Sequence, residues 1–138
     1  REDGPHCRRA RHPSPIRAGI VASAMLAVEP RDLFIAPVGA IEKVLPLANL
    51  KAADIDLFEL NEAFAPQCLA CMKPLEIDHA RLNVSGGAIA LGHPLGASGT
   101  KLMATLVHAL HARGNRFGLQ TMCEGGGIAN VTIVEALN

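Results

Sequence analysis

Apolar and polar positions follow two rhythms along this chain. Residues Ile16 to Leu26 are mostly small or β-branched, which predicts a strand. Glu29-Pro30-Arg31-Asp32 reads as a turn. From Pro37 to Leu47 the period changes: Val38, Ile41, Leu45 and Ala48 recur at helical spacing, with the proline at the start. Asp54 to Leu60 returns to strand character. Phe64, Cys68, Cys71 and Met72 then share one helical face. Pro66 is tolerated only in a first turn, so this helix begins beside it and leaves Asn61-Glu62-Ala63-Phe64 on the turn before it. Leu82-Asn83-Val84 predicts a short strand running into Gly86-Gly87, followed by a loop punctuated by Gly92, Gly96 and Gly99. A helix over Ser98 to Arg113 places Leu102, Leu106, Ala109 and Leu110 together and is stopped by Gly114-Asn115. Strands over Phe117 to Met122 and Ile128 to Ala136 are joined by Gly125-Gly126-Gly127, as close as a hairpin requires. No internal repeat is visible. The alternation of strands and helices, ending on two strands, predicts an α/β fold: a mixed β-sheet covered by helices.

Residues 1–15 break the pattern. They hold Arg, His and Pro with almost nothing apolar, too little to offset the entropy of ordering them. They are expected to be a disordered leader or junction, with the globular domain covering residues 16–138. A basic arm for nucleic acid, or a metal site from His6, Cys7 and His12, is the weaker reading of this segment. The whole chain balances 13 Lys+Arg against 13 Asp+Glu, so it has no general attraction to nucleic acid or an anionic membrane. No stretch approaches the roughly 18 apolar residues of a membrane-spanning helix. Four cysteines in 138 residues are too few for a disulfide scaffold and suggest free thiols in a reducing compartment.

Three predicted strands each run into a loop carrying a reactive side chain: Asn61, His93 and Cys123. In helix-covered sheets, sites gather beyond the carboxyl ends of strands, so the three are expected to converge on one side of the sheet. A histidine can take a thiol proton, a cysteine can act as nucleophile or base, and an asparagine can hold a water or an oxyanion. Together they suggest acyl or thioester chemistry. Taken singly, a His before Pro is commonly a solvated loop residue, and Cys is among the most buried residue types. The Gly125-Gly126-Gly127 run favours the functional reading, because it lets backbone N–H groups approach a ligand. Other glycine motifs are incomplete: Gly87 and Gly92 lead to His93-Pro94 rather than Gly-Lys-Ser/Thr, and Gly125-x-Gly127 is followed by Asn130 rather than Gly. Cys68-x-x-Cys71 lies on an amphipathic helix, where core packing is the leading reading and a metal or redox pair the lesser one. No metal site is predicted.

Asn61-Glu62-Ala63-Phe64-Ala65, then Asn83 to Gly99 with Gly92-His93-Pro94-Leu95-Gly96 at its centre, then Cys123-Glu124-Gly125-Gly126-Gly127 resemble the C-terminal domain of thiolases. These are the acetyl-CoA acetyltransferases and 3-ketoacyl-CoA thiolases. The resemblance covers about residues 16–138. It implies a thiolase-like C-terminal half and an acyltransferase activity: Claisen condensation of acyl-CoA thioesters, or CoA-dependent cleavage of a 3-ketoacyl-CoA. It implies that His93 is the base for a nucleophilic cysteine and then a donor to an oxyanion, that Asn61 holds a water completing that oxyanion hole, and that Cys123 moves the proton at the substrate α-carbon. It also implies that the backbone N–H of Gly125 serves a second oxyanion hole. CoA and acyl-CoA are the implied substrates, with no bound cofactor and CoA-contacting residues unassigned.

The family's nucleophilic cysteine belongs to an N-terminal domain that this sequence does not include, and Cys7, Cys68 and Cys71 lie in other settings. Ser85 and Ala129 stand where many members have Asn and Gly. The expectation is therefore a piece of a longer enzyme that partners an N-terminal thiolase domain, forms a homo-oligomer when complete, and is inactive alone. The default location is the cytoplasm. A β-ketoacyl synthase-like domain shares the Gly92-to-Gly99 pattern but uses His where Cys123 stands. A non-catalytic thiolase remnant is the third reading.

Overall fold

The computed structural model describes residues 17–137, so the expected leader at residues 1–15 lies outside the described residues. The regular elements are β1 (Ala18–Ala27), α1 (Ala36–Leu47), β2 (Leu57–Leu60), α2 (Ala65–Met72), α3 (Gly87–Leu91), α4 (Ser98–Arg113), β3 (Phe117–Glu124) and β4 (Ile128–Ala136). The strands form one mixed sheet in the order β1-β4-β3-β2. β4 runs antiparallel to both neighbours, while β2 and β3 are parallel, with Leu60 opposite Thr121. Their carboxyl ends therefore open at the same end of the sheet.

Strand alternation sends side chains to two helical layers. Phe58 and Leu60 join Leu119 and Ile133 beneath Ile41 and Val44 of α1, and Cys68 and Cys71 of α2 belong to the same core. Leu57 and Val134 point the other way, against Leu106 and Leu110 of α4. Each such aliphatic side chain contributes about 1.5–3 kcal/mol through its removal from water. Gly118 permits the close seat of α4: a Cβ there would stand 2.9–3.0 Å from Leu110 and Leu106. Gly114 ends α4 in the left-handed conformation at φ 67°, returning its N–H to His111 O.

The structure departs from the sequence pattern in four places ahead of α4. Pro30–Ile35 is a 3-10 helix leading into α1 rather than a simple turn. β2 begins at Leu57, not Asp54, because two acids shape turns ahead of it. Asp54 accepts the Lys51 N–H at 2.8 Å, and Asp56 accepts the Arg116 and Phe117 N–H groups, each at 2.8 Å. A one-turn helix, α3, occupies part of the expected glycine loop. The strand predicted at Leu82-Asn83-Val84 is reduced to one bridge between Leu82 and Phe58. Asn83 has φ 48°, which takes its backbone out of the extended form. Its carboxamide then replaces the ladder, accepting from Leu60 N–H and donating to Leu60 O, both at 2.9 Å.

Candidate active site

The parallel pairing of β2 with β3 brings two of the three candidate residues to one end of the sheet. Asn61 is the residue after β2; its N–H donates to Thr121 O at 2.9 Å, extending the strand pairing by one step. It is 1% exposed, and its Oδ1 has no hydrogen-bond partner. A buried, unpaired amide oxygen is costly, so this atom is available to a ligand or a water. The next residue, Glu62, accepts the Ile89 N–H at 3.0 Å and so ties α3 to the end of β2.

His93 follows α3 and precedes α4. Its Nδ1 lies 2.6 Å from Ser98 Oγ, and Ser98 Oγ donates to Pro94 O at 2.9 Å. Ser98 is 2% exposed and begins α4. The hydroxyl has one proton, and that proton goes to the carbonyl. Its lone pair therefore accepts from Nδ1–H, and in the neutral ring the nitrogen without a proton is then Nε2. The imidazole is exposed and held from one side, with Nε2 turned away from that contact.

Cys123 lies within β3, opposite Ala129, rather than in a loop after the strand as the sequence pattern suggested. It is half-buried, and its Sγ donates to Gln67 Oε1 at 3.3 Å. Gln67 belongs to α2, so Cys123 faces the α1–α2 layer while His93 is anchored to the start of α4. Asn61 and Cys123 thus lie at one end of the sheet, but the three side chains do not gather over one face as the sequence pattern led one to expect. Among the described residues, no hydrogen bond links Asn61, His93 and Cys123 to each other. Gly125 opens the turn after β3 and is exposed. The turn is fixed at Gly127, where φ is 84° and a Cβ would stand 2.4 Å from Val28 O. Only glycine accepts both conditions.

The other two described cysteines are core residues. Burial, with the Glu62 charge added, pushes the Cys68 thiol up to about 12, and its Sγ donates to Leu60 O. Burial and then Cys123 push the Cys71 thiol up to about 11, and its Sγ donates to Phe34 O. Both are thiols at neutral pH, which supports the packing reading of Cys68-x-x-Cys71. Among the described residues, no group of three His, Cys, Asp or Glu side chains could hold a metal ion. No described helix is long and apolar enough to cross a membrane.

The family description "Thiolase, C-terminal domain" matches residues 14–136. The chain belongs to the thiolase family, as a C-terminal domain. It is 50% identical over 121 residues to a steroid 3-ketoacyl-CoA thiolase of Mycobacterium tuberculosis, covering 88% of this chain and 30% of that protein. It is also 50% identical over 121 residues to an acetyl-CoA acetyltransferase of Escherichia coli, covering 88% of this chain and 31% of the relative. Among solved structures, human mitochondrial 3-ketoacyl-CoA thiolase in complex with CoA superposes with a TM-score of 0.85 at 45% identity, covering 88% of this chain and 31% of that one. The chain thus spans about 30% of the length of its thiolase relatives.

Within this thiolase domain, two residues that the sequence reading passed over touch the candidate groups: Ser98 at His93 and Gln67 at Cys123. Ser98 stands five residues after His93, where a helix start can return a side chain to the loop before it, so its spacing carried a signal. Gln67 lies 56 residues from Cys123 and carried none. The α4 side of the domain also has an open groove of about 630 Å³ along β1, lined by Ile20, Gly99, Met103, Val107 and Val134 among others.

Proposed function

We propose that this chain is the C-terminal catalytic half of a thiolase that transfers acyl groups between CoA thioesters. The observation that carries the proposal is the Ser98-held imidazole of His93. Its free Nε2 sits on the segment that Glu62 ties to the end of the sheet where Asn61 and Cys123 also lie. In this reading, His93 Nε2 takes the proton of a cysteine thiol supplied by an N-terminal half. The sulfur then attacks a thioester carbonyl, and the electron pair of the C=O bond moves to oxygen. Nε2–H, now a donor, and a water held by Asn61 Oδ1 stabilise that oxyanion. As that pair returns, the C–S bond to CoA breaks, CoA leaves with the proton held on Nε2, and the acyl group stays on the cysteine. Cys123, as a thiolate, takes a proton from the α-carbon of the acyl-CoA. The C–H bond breaks, an S–H bond forms, and the electron pair passes into an enolate, whose carbon attacks the acyl-cysteine. The new C–C bond forms and the C–S bond to the cysteine breaks, which frees its thiolate. The Gly125 N–H serves the second oxyanion. Catalysis by fixed donors suits this step because a thioester α-proton is only weakly acidic.

The partner implied is an N-terminal thiolase half that carries the nucleophile and covers the apolar groove beside β1, with CoA and acyl-CoA as substrates. The complete enzyme is expected to be a homo-oligomer. The CoA complex of the human structural neighbour and the limited share of each relative that this chain covers support this reading.

The test joins this chain covalently to the N-terminal half of a thiolase relative and follows thiolysis of a 3-ketoacyl-CoA. The fused protein is expected to turn over, and His93→Ala to lower the rate by more than about a hundredfold, because one ring serves as base and donor. Asn61→Ala should be milder, since its water keeps other hydrogen bonds. The chain alone should show no turnover. Turnover by the chain alone, with an acyl group mapped to one of its own four cysteines, would overturn the proposal.

A further inference from the structure

Gln67 is the third residue of α2 and is fully buried at 0% exposure. Its Oε1 accepts from Cys123 Sγ at 3.3 Å, and its Nε2 is buried with no hydrogen-bond partner. An amide that merely packed in a core would have both ends bonded, because an orphaned N–H is destabilising. Here one end meets a thiol and the other is bonded to nothing. The thiol is therefore the one hydrogen-bond partner that sets which end of the carboxamide faces Cys123. The neighbouring thiol Cys71 does not compete for it, since its Sγ donates to Phe34 O.

A primary amide presents an acceptor and a donor from nearly the same place. A half-turn about its last side-chain bond exchanges them without moving the helix. A thiol needs an acceptor for its S–H, whereas a thiolate needs a donor. From these contacts we infer that Gln67 is a positioning residue that serves both protonation states of Cys123. Oε1 accepts from the thiol, and after a half-turn Nε2–H donates to the thiolate. The inference rests on the proposed proton-transfer role of Cys123 and adds to it the group that keeps the sulfur in place on both sides of the step. The proton passes between sulfur and the substrate α-carbon; Gln67 exchanges none.

The test is made on this chain itself, without turnover. The S–H stretching band of Cys123 is isolated by infrared difference against Cys123→Ala, and alkylation of Cys123 by iodoacetamide is mapped by mass spectrometry across pH. In the parent the band should lie at the lowered frequency of a hydrogen-bonded thiol. Gln67→Met, similar in length and without an amide, should return it to the free frequency. The same variant should raise the pH of half-maximal alkylation by about one unit, the scale of one lost charge-assisted hydrogen bond. Gln67→Glu, which keeps the shape and an acceptor, should retain the lowered band yet raise the alkylation midpoint further, because a carboxylate repels a thiolate. A purely structural role would not separate the two readouts in this way. Should Gln67→Met fail to fold, Gln67→Glu still decides: an alkylation profile superimposable on the parent overturns the inference. So does a Cys123 band that Gln67→Met leaves unmoved. Because neither measurement needs thiolysis, an inactive fused enzyme would count against the proposed function and leave this result standing.

Discussion

His93 shows how much of a site depends on one unremarked hydroxyl. An isolated imidazole in water is free to carry its proton on either nitrogen. Ser98, committed through its own proton to Pro94 O, accepts from Nδ1–H and so leaves Nε2 of the neutral ring without a proton. Ser98→Ala removes that acceptor. The expected result is a loss of the Nδ1–H form of His93, read by nitrogen-15 NMR of the imidazole, with a rate loss of roughly 2–10-fold in the fused enzyme, the scale of one ordinary hydrogen bond. Ser98→Thr, which keeps the hydroxyl, should restore both. An unchanged nitrogen-15 spectrum in Ser98→Ala would show that the hydroxyl does not set the tautomer.

Strand β2 carries an acid where its neighbours are apolar. Glu59 lies between Phe58 and Leu60 and is 1% exposed, and neither carboxylate oxygen has a partner. Burial pushes its carboxyl up from 4.5 to about 7, with the Glu62 charge adding to the effect. Between those values the folded chain keeps a proton that the unfolded chain has already lost. Stability is therefore fully present below about pH 4.5 and falls as pH rises through about 7. The loss amounts to about 3 kcal/mol above that range. Denaturant unfolding of the parent and of Glu59→Gln across pH 4–8 checks this. The difference between them should grow in favour of the glutamine variant as pH rises, and parallel curves would contradict it. The same strand shows why an element's length is hard to read from composition. Asp54 and Asp56 fit a strand by position, but their carboxylates are used to hold turns, so regular pairing begins only at Leu57.

As a whole, the domain covers the two faces of its sheet unequally. α1 and α2 bury one face, whereas α4 lies over β2 and β3 and leaves the β1 side of the other face open. Ile20 there is 75% exposed, and Met25, further along β1, is 57% exposed, both high for large apolar side chains. The chain alone is expected to associate at high concentration, or to bind a hydrophobic dye, through this groove. Sedimentation and dye fluorescence check it, and Met103→Lys should weaken both effects. A chain that stays monomeric and dye-silent would argue against a missing half over this surface.

The boundaries of α4, the start of α2 beside Pro66 and the β3–β4 hairpin were legible in the chain because each rests on local rules. Those rules are a stop at Gly114, a proline confined to a first turn, and three glycines between two β-rich runs. The three candidate residues stood out for a similar reason: each sits beside glycines or at a strand end, and their order resembles the thiolase pattern. What sequence position could not convey was partnership across distance. Asn83 abandons its own strand to bond both backbone groups of Leu60, 23 residues away. Gln67 meets Cys123 across 56 residues, and the parallel pairing of β2 with β3 places Asn61 one step beyond Thr121. Local propensity acts over a few residues, while a hydrogen bond forms between whichever groups the packed layers bring within about 3 Å. Sequence alone therefore determined most of the elements and which side chains were candidates for chemistry, and only the packing of two helical layers on one mixed sheet decided which atom each of them would meet.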